Sequence, residues 1–196
     1  DASGTATISL ALADNGGTAN GGIDTSPTQT FVITVTAVND LPVLDLNGPA
    51  AGNDFAATYT EANPAVAIVD PAALSLTDVD STNLASATVS ISNLLDGALE
   101  SLAASTAGTS IVAAYNSGTG VLALSGSDST ANYQTVLRTV TYLNTSTAPN
   151  ETARVVSFVA NDGTGNSNVA ISTVSVVGVN TVPSFTAGAA VSINED

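Results

Sequence analysis

The chain has 196 residues, of which 17 are Asp or Glu and only Arg138 and Arg154 are basic, for a formal net charge of −15. It contains no Cys, His, Lys, Met or Trp, which excludes Ser-His-Asp and Cys-His nucleophiles, His or Cys zinc sites, Schiff-base lysines, disulfides and Lys-Asn isopeptide crosslinks. The charge excludes binding through nucleic-acid phosphates and opposes binding to an anionic membrane surface, so the natural counter-charge is a cation.

Hydrophobic residues make up 44% of the chain and aromatic residues 4%, so a core is expected from Val, Ile, Leu and Ala with a few Phe and Tyr. In chain order, β-branched segments run over residues 5–12, 29–38, 85–92, 111–114, 120–124, 139–143, 154–160 and 169–177, separated by Gly, Asn, Asp, Ser and Pro. Phe31, Ile33 and Val35 alternate with Thr30, Thr34 and Thr36, and Ala87, Val89 and Ile91 with Thr88, Ser90 and Ser92, which predicts one buried and one wet face per strand. The one helical signal is Ser129 to Leu137, one or two turns behind an Asp128 or Ser129 cap. Tyr133, Leu137, Val140, Tyr142 and Leu143 are expected in the core. The fold class is therefore all-β, and no apolar run reaches the roughly 18 residues of a membrane span. No signal peptide is visible at Asp1, so any anchor is expected outside this chain.

An internal repeat organises the chain. ISLALADNGG, a loop and TFVITVTAVNDLPVL near the start return near the end as VSFVANDGTG, a shorter loop and ISTVSVVGVNTVPSF. Asn39 and Asn180 are 141 residues apart, and TEANP at residues 60–64 is echoed by NED at 194–196. The expected map is residues 1–40 as the last two strands of one sandwich, 41–181 as a complete one, and 182–196 as the first strand of a third. Ends out of phase with the repeat fit an excerpt of a longer chain, or strands completed by neighbouring subunits.

TDVDS at 77–81, TGVLALSG at 119–126, YQTVLRTVTYLNTS at 133–146, FVANDG at 158–163 and AVNDLP at 37–42 together resemble the cadherin-like, chondroitin-sulfate-proteoglycan-like tandem repeats of large bacterial surface proteins. The resemblance covers essentially the whole chain. It implies Greek-key, cadherin- or immunoglobulin-like β-sandwiches in tandem, with Ca²⁺ held between repeats by Asp78, Asp80, Asp162, Asn39 and Asp40. The chemistry agrees, since Ca²⁺ takes six to eight oxygens and clustered carboxylates repel one another without it. The plainer reading of Asp-x-Asp and Asn-Asp-Gly is as turn formers that hydrogen-bond the local backbone.

At the second junction Thr181 stands where Asp would follow Asn180, and the family's Asp-Arg-Glu is missing, so this junction is expected to be poor in metal. Glu61 is a candidate equivalent of the family's early glutamate, with an exposed, solvated charge as its default reading, and each arginine is expected to pair with local carboxylates. Asn144-Thr-Ser and Asn150-Glu-Thr match the glycosylation pattern, which a bacterial source leaves unused. The expected function is that of an extracellular structural or spacer repeat of an adhesin or fibre at the bacterial cell surface, without catalysis. Its expected partners are neighbouring repeats or identical subunits. The alternatives are a module gripping a cell-surface glycan or protein, and a filament subunit joined by strand donation.

Overall fold

The computed structural model describes residues 3–180, 182, 183 and 188, so the expected first strand of a third repeat lies outside the described residues. Strand β1 (Gly4–Leu10) pairs antiparallel with β2 (Gln29–Val35), Ala6 facing Ile33 and Ile8 facing Phe31. These two strands form a sheet of their own. Every residue of β2 is exposed, where one buried face was expected, because among the described residues no second layer packs on this hairpin.

Beyond the hairpin the chain forms β3 (Val43–Asp45), β4 (Phe55–Thr60), β5 (Val66–Ala67), β6 (Ser75–Thr77), β7 (Asn83–Ile91), β8 (Glu100–Ala103), β9 (Val112–Asn116) and β10 (Val121–Ser129). The helix α1 (Thr130–Leu137) and strands β11 (Thr141–Asn144), β12 (Arg154–Asn161) and β13 (Ala170–Val177) follow. A six-stranded sheet runs β4-β13-β12-β7-β10-β9, a three-stranded sheet β5-β11-β8, and β3 pairs with β6. All pairings are antiparallel except β4 with β13. The chain is thus mostly β and sandwich-like, as its alternating pattern requires.

In β7 the alternation does what it predicts: Ala87, Val89 and Ile91 are buried and the residues between them are not. One core joins Leu44 and Leu46, Tyr59, Val89, Leu122, Tyr142, Phe158 and Val174 from the several sheets. Tyr59 meets Tyr142 edge to face at 5.5 Å between ring centres, a favourable arrangement that ties β4 to β11. Helix α1 starts where Ser129 Oγ accepts from Asn132 N at 3.2 Å, and it buries Tyr133, Val136 and Leu137. The β7–β10 register shifts between Ser125 and Asp128, and Gly126 carries the bulge at φ +115°. A side chain there would put Cβ 2.7 Å from the Ser110 carbonyl oxygen.

Candidate functional site

The five residues expected around calcium lie on three segments: Asn39 and Asp40 between β2 and β3, Asp78 and Asp80 after β6, and Asp162 after β12. Tertiary folding joins them in a chain of contacts. Asn39 Nδ2 donates to Asp162 Oδ2 at 2.9 Å, across 123 residues, and to the Asp40 carbonyl at 3.0 Å. The Asp40 amide donates to Asp80 Oδ2 at 3.1 Å. Asp78 Oδ1 accepts from the amides of Asp80 at 3.2 Å and Ser81 at 2.7 Å. The turn-forming reading therefore holds for one oxygen of Asp78, and likewise for Asp162 Oδ1, which accepts from Thr164 N and Gly165 N at 2.6 and 2.7 Å. Both acidic turns also do long-range work, because their carboxylates or near neighbours grip the segment that leaves β2.

The donor set is all oxygen, which suits a hard divalent ion. Asp78 Oδ2 is buried and has no hydrogen-bond partner, an orphaned acceptor of the sort a cation satisfies. Hydrogen bonds from the Gly165 amide and the Asn39 side chain hold the Asp162 carboxyl below its ordinary range, so it stays ionised. Among the described residues no three acidic side chains converge at the spacing of a formed metal centre. The carboxylates of Asp78, Asp80 and Asp162 are thus linked through the Asn39 side chain and the Asp40 backbone, and a cation would have to draw their free oxygens together.

The opposite end of the main body presents a second acidic site that sequence reasoning misplaced. Glu61 is 8% exposed, contrary to the solvated charge expected, because its carboxylate folds back on the segment leaving β13. Its Oε2 accepts from Val179 N at 2.8 Å while Glu151 Oε1 accepts from the preceding amide, Gly178 N, at 2.8 Å. Asn180 and Thr147 line the same cleft of about 410 Å³. Two glutamates thus clamp consecutive backbone amides. The only sequence signal for Glu61 was its place at the end of a repeat element.

The arginines divide. Arg154, with 0% of its surface exposed, bonds Glu100 Oε1 through Nε and Asp96 Oδ2 through Nη2 at 2.6 Å. Its Nη1 donates to the carbonyls of Asn150 and Thr152. Tyr142 OH donates to Glu100 Oε1 at 2.7 Å, and Asn144 Nδ2 to Asp96 Oδ2 at 2.7 Å. Burial, and then the bond to Glu100, push the Tyr142 phenol pKa up. Arg138 departs from expectation: its Nε and Nη2 both donate to the Leu74 carbonyl, at 3.0 and 2.7 Å, and among the described residues no carboxylate meets it. That geometry holds the end of α1 to the segment before β6.

Among the described residues no helix is long and apolar enough to cross a membrane. Compared with known proteins, the chain matches no family model, no curated protein and no solved structure.

Proposed function

We propose that this chain is a stretch of tandem, Greek-key, cadherin-like β-sandwich repeats, an extracellular structural or spacer element of an adhesin or fibre in which Ca²⁺ stiffens the Asn39 junction. On this reading residues 1–40 close one repeat, 41–181 make up the next and 182–196 open a third. The observation that carries it is the orphaned Asp78 Oδ2, two residues from Asp80, whose carboxylate already holds the amide of the junction residue Asp40. Both arginines are engaged elsewhere, so neither supplies these carboxylates with a cation. Asp78, Asp80 and Asp162 would hold the ion with Asn39 and Asp40. Its charge would offset their mutual repulsion and fix the angle at which β2 enters the main body. With no imidazole, thiol or lysine amine in the sequence, the work we assign to the chain is mechanical.

Thermal melting in calcium and then in excess chelator tests this. A ligand that binds only the folded chain stabilises it by about 2.7 kcal/mol at a hundredfold excess over Kd, so calcium should raise the Tm. Asp78→Asn should remove most of that rise. Identical melting curves in calcium and chelator would refute the calcium assignment.

A further inference from the structure

Between β2 and β3 the chain runs beside the turn that joins β12 to β13, in the same direction, and meets it in step at three points. Asn39 Nδ2 donates to Asp162 Oδ2, Leu41 rests on Gly165, and Leu44 is bonded to Asn168. At Gly165 the fit is so close that a Cβ would overlap Leu41 Cδ2. Asn168 makes the most directional of these contacts: its Oδ1 accepts from Leu44 N and its Nδ2 donates to the Leu44 carbonyl, both at 2.8 Å.

The chemistry of the contact singles Asn168 out. Leu44 stands opposite Leu76 in the β3–β6 pair, yet its amide and carbonyl both turn to Asn168, and because Leu44 is fully buried both groups need a partner. A side-chain amide carries donor and acceptor in one plane, as a neighbouring peptide would, which neither a carboxylate nor an aliphatic side chain reproduces. The turn that presents Asn168 is closed by its own bonds. Ser167 N donates to the Ala160 carbonyl at 2.8 Å, Ala160 N donates to Ser167 Oγ at 3.0 Å, and Asn161 Nδ2 donates to Asn166 Oδ1 at 2.7 Å. Together with the bonds that Asp162 Oδ1 accepts from Thr164 N and Gly165 N, these fix Asp162, Gly165 and Asn168 relative to one another. A linker anchored at Leu44 therefore has its place along the turn decided as far back as Asn39.

We propose that the turn at residues 162–168 is the seat of the junction linker and that Asn168, with Gly165, is its positioning residue. The two bonds to Leu44 and the bare backbone under Leu41 set the linker at the height where Asn39 meets Asp162 and the Asp40 amide meets Asp80 Oδ2. Among the described residues Asn168 bonds none of the junction carboxylates, so its part is to place the groups that do. Were it only a partner for two buried backbone groups, its loss would lower stability and leave the far end of the linker untouched. The proposal deepens the junction reading given above, but the contacts that carry it are hydrogen bonds and packing, independent of calcium.

The test is nuclear magnetic resonance of the full 196-residue chain in chelator, then calorimetric titration with calcium, for wild type, Asn168→Ala, Gly165→Ala and Asn93→Ala. Asn93 is the matched control: its Nδ2 donates to the Ala153 carbonyl and its Oδ1 accepts from Val155 N, both at 2.8 Å, at the opposite end of β12 from Asp162. The Asn39 side-chain amide resonances should move toward those of a free amide in Asn168→Ala and Gly165→Ala and stay in place in Asn93→Ala, although both asparagine variants lower the melting temperature. Loss of a group that orients metal ligands weakens binding by about 10–100-fold, so the calcium Kd should rise about tenfold or more in the first two variants and stay unchanged in the control. Asn39 resonances that stay in place in both Asn168→Ala and Gly165→Ala overturn the proposal. So does an equal displacement in Asn93→Ala, which would mark a general loosening. If Asn168→Ala does not fold, the comparison of Gly165→Ala with Asn93→Ala decides. A wild type that takes up no calcium refutes the calcium reading, and the resonances in chelator then judge the seat alone. Resonances that stay in place while calcium still binds refute the seat and leave the calcium reading intact.

Discussion

Arg154→Met would remove the only cation from a polar cluster in which Arg154 and Glu100 are fully buried. Glu100, 0% exposed, would then keep Tyr142 OH at 2.7 Å and a long contact from Asp96 N at 3.4 Å, with no counter-charge. Asp96 keeps Asn144 Nδ2 and the Asn150 amide, and its side chain is 12% exposed, so the cost falls mainly on Glu100. Removing one member of a buried pair costs about 3–5 kcal/mol. At roughly 2.1 cal/mol/K per residue over about 140 residues, that lowers the melting temperature by about 10–17 °C. Differential scanning calorimetry of wild type, Arg154→Met, Glu100→Met and the double variant closes a thermodynamic cycle. The double variant should recover much of the loss, since well-packed apolar replacements for both charges avoid the uncompensated ion. A single variant that costs under about 1 kcal/mol, or a double variant less stable than the sum of the singles, would refute the view that Arg154 neutralises a trapped carboxylate.

Acidification provides a second check. The folded pKa of Asp162 lies below its ordinary value of 3.8, so the stability from its hydrogen bonds is present above that value and is lost as pH falls through the lower, folded one. The Asn39 side-chain amide resonance should report that loss, and a transition above the ordinary carboxylate range would contradict it. At alkaline pH the opposite sign applies. Burial raises Tyr115, Tyr133 and Tyr142, so the fold favours the neutral phenols and loses stability as pH rises past 10, and ultraviolet titration should show these rings ionising late. Gly126→Ala should cost about 1–3 kcal/mol in chemical denaturation, because the residue takes a backbone conformation that an L side chain resists and Cβ meets the Ser110 carbonyl.

The parts legible in the sequence were those that rest on local periodicity. The β7 pattern gave strand, face and approximate limits, the β-branched run at 154–160 gave the place of β12, and the Ser129 cap placed α1 to within a residue. Strands β3, β4, β5, β6 and β8 escaped because they are short or rich in Ala, with too few alternating residues to register a period of two. The face of β2 was misread for another reason: alternation predicts which side is apolar and says nothing of whether a second layer covers it. At the junction, it was the resemblance to cadherin-like repeats that singled out Asp78, Asp80, Asp162, Asn39 and Asp40; the internal repeat by itself marks Asn39 but not Asp40, whose counterpart is Thr181. The Arg154 cluster left no local mark, since its residues come from three segments, Asp96 with Glu100, Tyr142, and Arg154, that meet only when two sheets pack.

That cluster also bears on the junction. A chain with two cations and a net charge of −15 must stabilise its acidic sites by other means. Arg154 is fixed in the interior by two carboxylates and two carbonyls, and Arg138 by the Leu74 carbonyl. The junction carboxylates therefore rely on backbone amides, on the Asn39 amide and, for the buried Asp78 Oδ2, on nothing within the described residues. At the other end Glu61 and Glu151 each hold a backbone amide, so that junction is fixed by neutral donors alone. The two ends of the main body therefore differ in kind. The end at Asn39 has an acceptor left over and should respond to a divalent cation, whereas the end at Gly178 and Val179 should hold its angle whether or not one is present. Amide exchange at those two residues, measured in calcium and in chelator, should be the same; protection that appears only with calcium would show that the glutamate clamp also depends on the ion.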